Sequence, residues 1–229
     1  MYLINFPKGS VHVKVIHLIT PVIFFSILYI FFIPEQPFLL KISFKIIPII
    51  VMLIFIYLQR DLNNPSFSKW LFLGLLFCMF GDATLHWFLL GLSFFLIGHI
   101  CYIVAFFQVK VKTINPYIAI LLLVYGMVMV AWVAGNIFRT GNYVLGIAVC
   151  CYIAVILTMG WSALQTYSTF VILGAISFIF SDSILALDTF ITRIPMAHIL
   201  IMTSYYSAQL FFTLGALKYS VAQNKVLEL

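Results

Sequence analysis

Long apolar stretches separated by short clusters of proline, glycine, asparagine and charge set the pattern of this chain. The breaks fall at Pro34-Glu35-Gln36-Pro37, Arg60 to Pro65, Leu90-Gly91, Lys110 to Pro116, Gly135-Asn136 to Gly141-Asn142, Leu164-Gln165 and Thr192 to Pro195. Between them lie apolar runs over 15–33, 43–58, 68–89, 92–109, 116–134, 143–162, 166–190 and 196–217. Proline and glycine punctuate helices in this way, and most of the runs match the roughly 17–25 residues that cross a bilayer as a helix. They are too continuous for the in-out alternation of outer-membrane barrel strands. The pattern predicts an all-α polytopic membrane bundle of about eight transmembrane helices. The connections are short, so neighbouring helices pack antiparallel within one transmembrane domain over 1–229.

Composition agrees: of 229 residues, 65% are hydrophobic and 8% charged, with a mean hydropathy of +1.19, outside the range of water-soluble domains. The formal charge of +6 does not point to nucleic acid, because the lysines and arginines stand at the ends of apolar runs. Lys8, Lys14, Arg60, Lys69, Lys110, Lys112, Lys218 and Lys225 fall on one side of the map, against Lys41, Arg139 and Arg193 on the other. The positive-inside rule then puts both termini in the cytoplasm. Lys8 and Lys14 precede a run that continues to Ile33 without a small-x-small cleavage pattern, so the first helix is expected to stay. Cys78, Cys101, Cys150 and Cys151 lie inside apolar segments without Cys-x-x-Cys spacing and read as packing residues.

Within this apolar background two aspartates stand in matching frames, Phe80-Gly81-Asp82-Ala83-Thr84-Leu85 and Phe180-Ser181-Asp182-Ser183-Ile184-Leu185. A carboxyl in the middle of a membrane helix costs on the order of 3 kcal/mol to insert and persists where it does chemistry, moves ions or meets a partner. Leu73-Gly74 and Leu173-Gly174 align at the same offset, which supports a parallel repeat of four helices. Both aspartates lie about 14 residues, roughly 21 Å, into helices that run the same way. With a turn at Gly91, His99 returns to that level, roughly 10 Å from the membrane face. His86, Tyr102, Tyr205, Tyr206 and Gln209 lie on neighbouring turns. Two carboxyls in a poorly hydrated cavity cannot both ionise cheaply, so one serves as acid and the other as base.

Plainer roles compete. An intramembrane aspartate also locks helices by hydrogen bonding, and a buried histidine is commonly a packing residue. Lys45 snorkels to the interface, neutralises an aspartate or holds a phosphate. Tyr205 and Tyr206 also suit packing, and His86 and His198 carry less weight than His99. Asp188 and Arg193 sit near a helix end, where a solvated role suffices. Asp82, His86, His99 and Asp182 are possible zinc ligands, but the spacing is not that of a metal site, and no metal or cofactor is expected.

The ordered motifs Gly81-Asp82-x-x-Leu85, Gly91-Leu92-x-x-Phe95-x-x-x-His99-x-x-Tyr102, Gly174-Ala175-x-x-Phe178-x-x-Ser181-Asp182-x-x-Leu185-Ala186 and Tyr205-Tyr206-x-x-Gln209 resemble the YhhN-type lysoplasmalogenase family. Lys45 and Pro48 resemble a lysine and proline on that family's second helix. The resemblance implies an eight-helix hydrolase in the membrane, here a bacterial inner membrane. Its substrate is a lysophospholipid with a single alkenyl chain, cleaved at the vinyl-ether bond to a fatty aldehyde and a glycerophospho-ethanolamine or -choline. The implied catalytic pair is Asp82 and Asp182. His99, Tyr102, Tyr205, Tyr206 and Gln209 would orient water and glycerol oxygens, with Lys45 toward the phosphate. Neither His86 nor Asp188 inherits a role. A proton-coupled transporter is the alternative, since a repeat with two mid-membrane aspartates also describes a proton relay, and a receptor or scaffold with polar locks is a third reading.

Overall fold

Proline and asparagine set several helix starts. Pro65 and Pro116 occupy first helical positions, where a missing N–H costs nothing, and the Asn142 side chain caps the next helix by accepting the Leu145 N–H at 3.2 Å. The computed structural model describes residues 15–58, 65–111, 113 and 116–227, and no side chain beyond 216. Its elements are α1 (Val15–Phe31), α2 (Phe38–Leu58), α3 (Pro65–Thr84), α4 (Phe88–Gln108), α5 (Pro116–Arg139), α6 (Tyr143–Leu164), α7 (Thr169–Phe190) and α8 (Ala197–Leu227). No strand occurs among the described residues. Helix α5 contains one wide π turn over Val130–Ala134.

Seven of these helices are long and apolar enough to cross a bilayer. Helix α1, at 17 residues, rises only about 26 Å and is shorter than the run that predicted it. Phe24, Ile54, Leu121, Ile147 and Ile176 point outward from five different helices. So broad an apolar exterior suits lipid rather than water, and the chain is an integral membrane protein. The expected basic residues Lys8, Lys14, Arg60 and Lys112 lie outside the described residues, as do the side chains of Lys218 and Lys225.

Two boundaries differ from expectation in ways that matter for the site. Helix α2 begins at Phe38, directly after Pro37, and so reaches a full 21 residues. The turn between α3 and α4 lies at Leu85-His86-Trp87 and not at Leu90-Gly91. Gly91 is instead helical, and a Cβ placed there would meet the Leu85 Cα at 2.7 Å. The glycine marks a close approach of chain to chain, not a break.

The most extensive pairings are α3 with α4 and α7 with α8. Each hairpin closes on a glycine: a Cβ on Gly74 would lie 2.3 Å from Tyr102 Cε1, and one on Gly174 2.5 Å from Phe212 Cδ1. Small residues let membrane helices approach closely, which replaces the hydrophobic drive that lipid removes. Helix α8 also touches α1, α2 and α3 and is the most buried span, whereas α5 is the least buried and rests mainly on α6.

Gly74→Ala and Gly174→Ala should each cost about 1–3 kcal/mol by overpacking. Gly135→Ala, whose new methyl would meet nothing closer than 4.0 Å, should leave stability unchanged or raise it slightly. Unfolding in mixed detergent checks the contrast.

Candidate active site

Helices α2, α3 and α8 meet at a buried ion pair. Lys45 Nζ lies 3.0 Å from Asp82 Oδ1, with the two side chains 11% and 2% exposed. Tyr205 of α8 donates its hydroxyl to the other carboxylate oxygen at 2.6 Å. Asp182 has different company: the Tyr152 hydroxyl of α6 donates to its Oδ2, and no ion pair reaches it among the described residues. Both aspartates, Lys45, Tyr152 and Tyr205 line one cavity of about 80 Å³. The rest of its wall is mainly apolar, with Phe95, Met129, Ile153 and Ile179 among the lining. That volume suffices for a few waters. A second cavity, of about 310 Å³, opens from the same ion pair toward the α1–α2 turn.

The position of Lys45 follows from its helix. Pro48 leaves the Phe44 carbonyl without its helical N–H partner, and separately the Lys45 carbonyl accepts the Tyr206 hydroxyl at 2.8 Å. The lysine does not snorkel, because its ammonium has a carboxylate partner inside the bundle. Asp182 lies about 12 Å of helix rise before the end of α7, whereas α3 stops only a few residues after Asp82. Both aspartates nevertheless line the same cavity.

The shifted turn overturns the expected level of His99. Gly81 packs on Phe95 and Gly98 on Cys78, so His99 lies about one turn deeper than Asp82. It is fully buried, donates from Nδ1 to the Phe95 carbonyl at 2.7 Å, and sits among the rings of Phe178, Tyr152 and Tyr102. Its Nε2 has no partner among the described residues. Tyr102 donates to Gln209 Oε1 at 2.6 Å in the same lower layer. Of the residues singled out in the sequence, Asp82, Asp182, Lys45 and Tyr205 line the cavity, while His99, Tyr102, Tyr206 and Gln209 do not. Asp188 accepts the Ile194 N–H at 2.7 Å and lies 3.7 Å from Arg193, at the end of α7.

Sequence reasoning passed over Tyr152. Its signal was a phenol midway along an apolar span, where a hydroxyl needs a partner. It also passed over Glu35 and Lys41 beside the second cavity. Among the described residues no three His, Cys, Asp or Glu side chains converge as a metal site. The four cysteines are free, and Cys78 and Cys101 are buried as packing residues.

Removing one member of a buried ion pair is costlier than removing both. Lys45→Met should therefore destabilise the protein by about 3 kcal/mol, and the double variant Lys45→Met/Asp82→Asn should recover most of that loss, as read by a double-mutant cycle of detergent unfolding.

The YhhN family model matches residues 40–216, a stretch that holds the whole cavity. Lysoplasmalogenase TMEM86B of Rattus norvegicus is 33% identical over 199 residues, covering 84% of this chain and 80% of that protein. Lysoplasmalogenase TMEM86A of Bos taurus is 30% identical over 192 residues, covering 76% and 77%. Lysoplasmalogenase TMEM86B of Homo sapiens is 30% identical over 183 residues, covering 79% and 76%. No solved structure matches the chain. The family match spans the helices that carry both aspartates, and with the relatives' identity and coverage it shows that the chain belongs to the YhhN family.

Proposed function

We propose that this protein is a lysoplasmalogenase, an ether hydrolase that cleaves the vinyl-ether bond of a lysophospholipid bearing one alkenyl chain. The proposal keeps the expected setting: a bacterial inner membrane with both termini in the cytoplasm. The observation that carries it is the unequal pair of aspartates on one otherwise apolar cavity. Asp82 has its charge matched by Lys45 and accepts a hydroxyl besides, so it serves as the carboxylate. Asp182 has a hydroxyl partner and no cation, and an uncompensated charge in such surroundings is expensive, so it serves as the acid.

Enol ethers hydrolyse through protonation at carbon. Asp182 gives its proton to the vinyl carbon farther from oxygen, and the C=C pair forms the new C–H bond, leaving an oxocarbenium ion. The Asp82 carboxylate stabilises that cation across the cavity and takes a proton from the attacking water. The product is a hemiacetal. Asp82 then returns its proton to the ether oxygen as the C–O bond breaks, and the hemiacetal hydroxyl proton restores Asp182. Aldehyde and glycerol hydroxyl leave, and both aspartates end as they began. Lys45 keeps Asp82 ionised between turnovers. His99, Tyr102 and Gln209 hold the layer beneath, with the His99 ring against Tyr152, and so position the Asp182 partner, while Tyr206 ties α8 to the Lys45 carbonyl.

Purified protein in lipid nanodiscs should release aldehyde from lysoplasmenyl-ethanolamine and none from the saturated alkyl-ether analogue. In D₂O one deuterium should appear on the carbon next to the aldehyde. Folded Asp182→Asn and Asp82→Asn variants should each lose about 10²–10⁴-fold in kcat, while a chelator leaves turnover unchanged. Absence of aldehyde from a folded, lipid-supplemented sample would move the reading to proton-coupled transport, tested by substrate-driven proton uptake in vesicles.

A further inference from the structure

The second cavity is not needed for the acid–base steps, yet it is the more polar of the two. It shares Lys45 and Asp82 with the reaction cavity and adds Glu35, Lys41, His86 and His198 from three separate turns on one face of the bundle. Lys41 Nζ pairs with Glu35 Oε2, and the lysine side chain is 22% exposed against 82% for the glutamate, so the cation lies in the wall and the carboxylate at the rim. That lysine holds the Glu35 carboxyl below its usual range, which keeps it charged at neutral pH. Aromatic rings hold both imidazoles in place. His198 lies 5.5 Å from Tyr29, and His86 lies 3.9 Å from Trp87 and 4.9 Å from Phe38.

Resting on the lipid-hydrolase reading, we propose that this vestibule is the head-group subsite: Lys41 and His198 hold the phosphate, and Glu35 at the rim holds the ammonium of a zwitterionic head. Lys41 lies one turn above Lys45 on α2, about 6 Å of helix rise. The glycerol backbone of a lysophospholipid separates its phosphorus from its ether oxygen by roughly the same distance. A phosphate at Lys41 therefore leaves the ether bond beside the Lys45–Asp82 pair, with the first alkenyl carbons directed toward the apolar cavity. Binding exchanges the Lys41–Glu35 pair for two pairs with the ligand, phosphate on Lys41 and ammonium on Glu35. Lys45, already neutralised by Asp82, is not the phosphate ligand that the sequence suggested.

The test uses non-hydrolysable ligands, so it does not depend on turnover. Affinity for a saturated alkyl-ether lysophosphoethanolamine and for a phosphate-free alkyl glycerol is measured in nanodiscs by intrinsic fluorescence, with Trp87 beside His86 as a reporter. The wild type should bind the phosphorylated ligand about tenfold more tightly, and Lys41→Gln should abolish that preference. His198→Gln should weaken it several-fold and serves as the second variant if Lys41→Gln does not fold. Glu35→Gln should remove the preference for an ethanolamine head over a phosphoglycerol head, which keeps the phosphate and lacks the ammonium. Equal wild-type affinity for the two ligands, or equal weakening of both by Lys41→Gln, overturns the proposal. A phosphate preference in a protein that releases no aldehyde would overturn the hydrolase reading and leave the subsite standing.

Discussion

The Lys45–Asp82 ion pair is the constraint around which the rest of the site is arranged. A charged pair inside a bilayer persists when each partner is held close and its remaining hydrogen-bond capacity is filled. Three helices meet that requirement together, because α2 supplies the lysine, α3 the aspartate and α8 the hydroxyl of Tyr205. The neighbouring Tyr206 hydroxyl ties α8 to the backbone of α2 at the same residue. Both cavities open from the point where these contacts meet.

The two most extensive helix pairings bring both aspartates to one space, and their neighbours make them differ. Gly74 lets α3 approach α4 at Tyr102, and Gly174 lets α7 approach α8 at Phe212. That sets Asp82 and Asp182 facing one space. What differs is the third party. Helix α2 reaches the first aspartate with an ammonium, whereas α6 reaches the second with a phenol. Two aspartates on one cavity thus meet unlike neighbours, and in the proposed mechanism this difference makes Asp82 the carboxylate and Asp182 the acid.

The helices were legible in the sequence because their apolar runs match bilayer thickness, and the two aspartates because a carboxyl in such a run is costly. The turn between α3 and α4 was not legible. Leu85 to Leu92 is apolar almost throughout, so Gly91 drew the break to itself, while its actual role is to let α4 approach Leu85. That displacement put His99 at the wrong level by about a turn. The pairing of Lys45 with Asp82, and of Tyr152 with Asp182, depends on which helices become neighbours, and spacing along the chain does not encode that. Glu35 and Lys41 read as ordinary loop and interface charges until the fold set them on one cavity with His86 and His198.

In the proposed mechanism the two buried carboxyls rest in different protonation states, Asp182 as acid and Asp82 as carboxylate. Infrared spectroscopy of the protein at neutral pH in nanodiscs reads this directly through the carbonyl stretch of a protonated carboxyl group. The account predicts one such band that disappears in Asp182→Asn and persists in Asp82→Asn. A band that persists in Asp182→Asn and disappears in Asp82→Asn would contradict it.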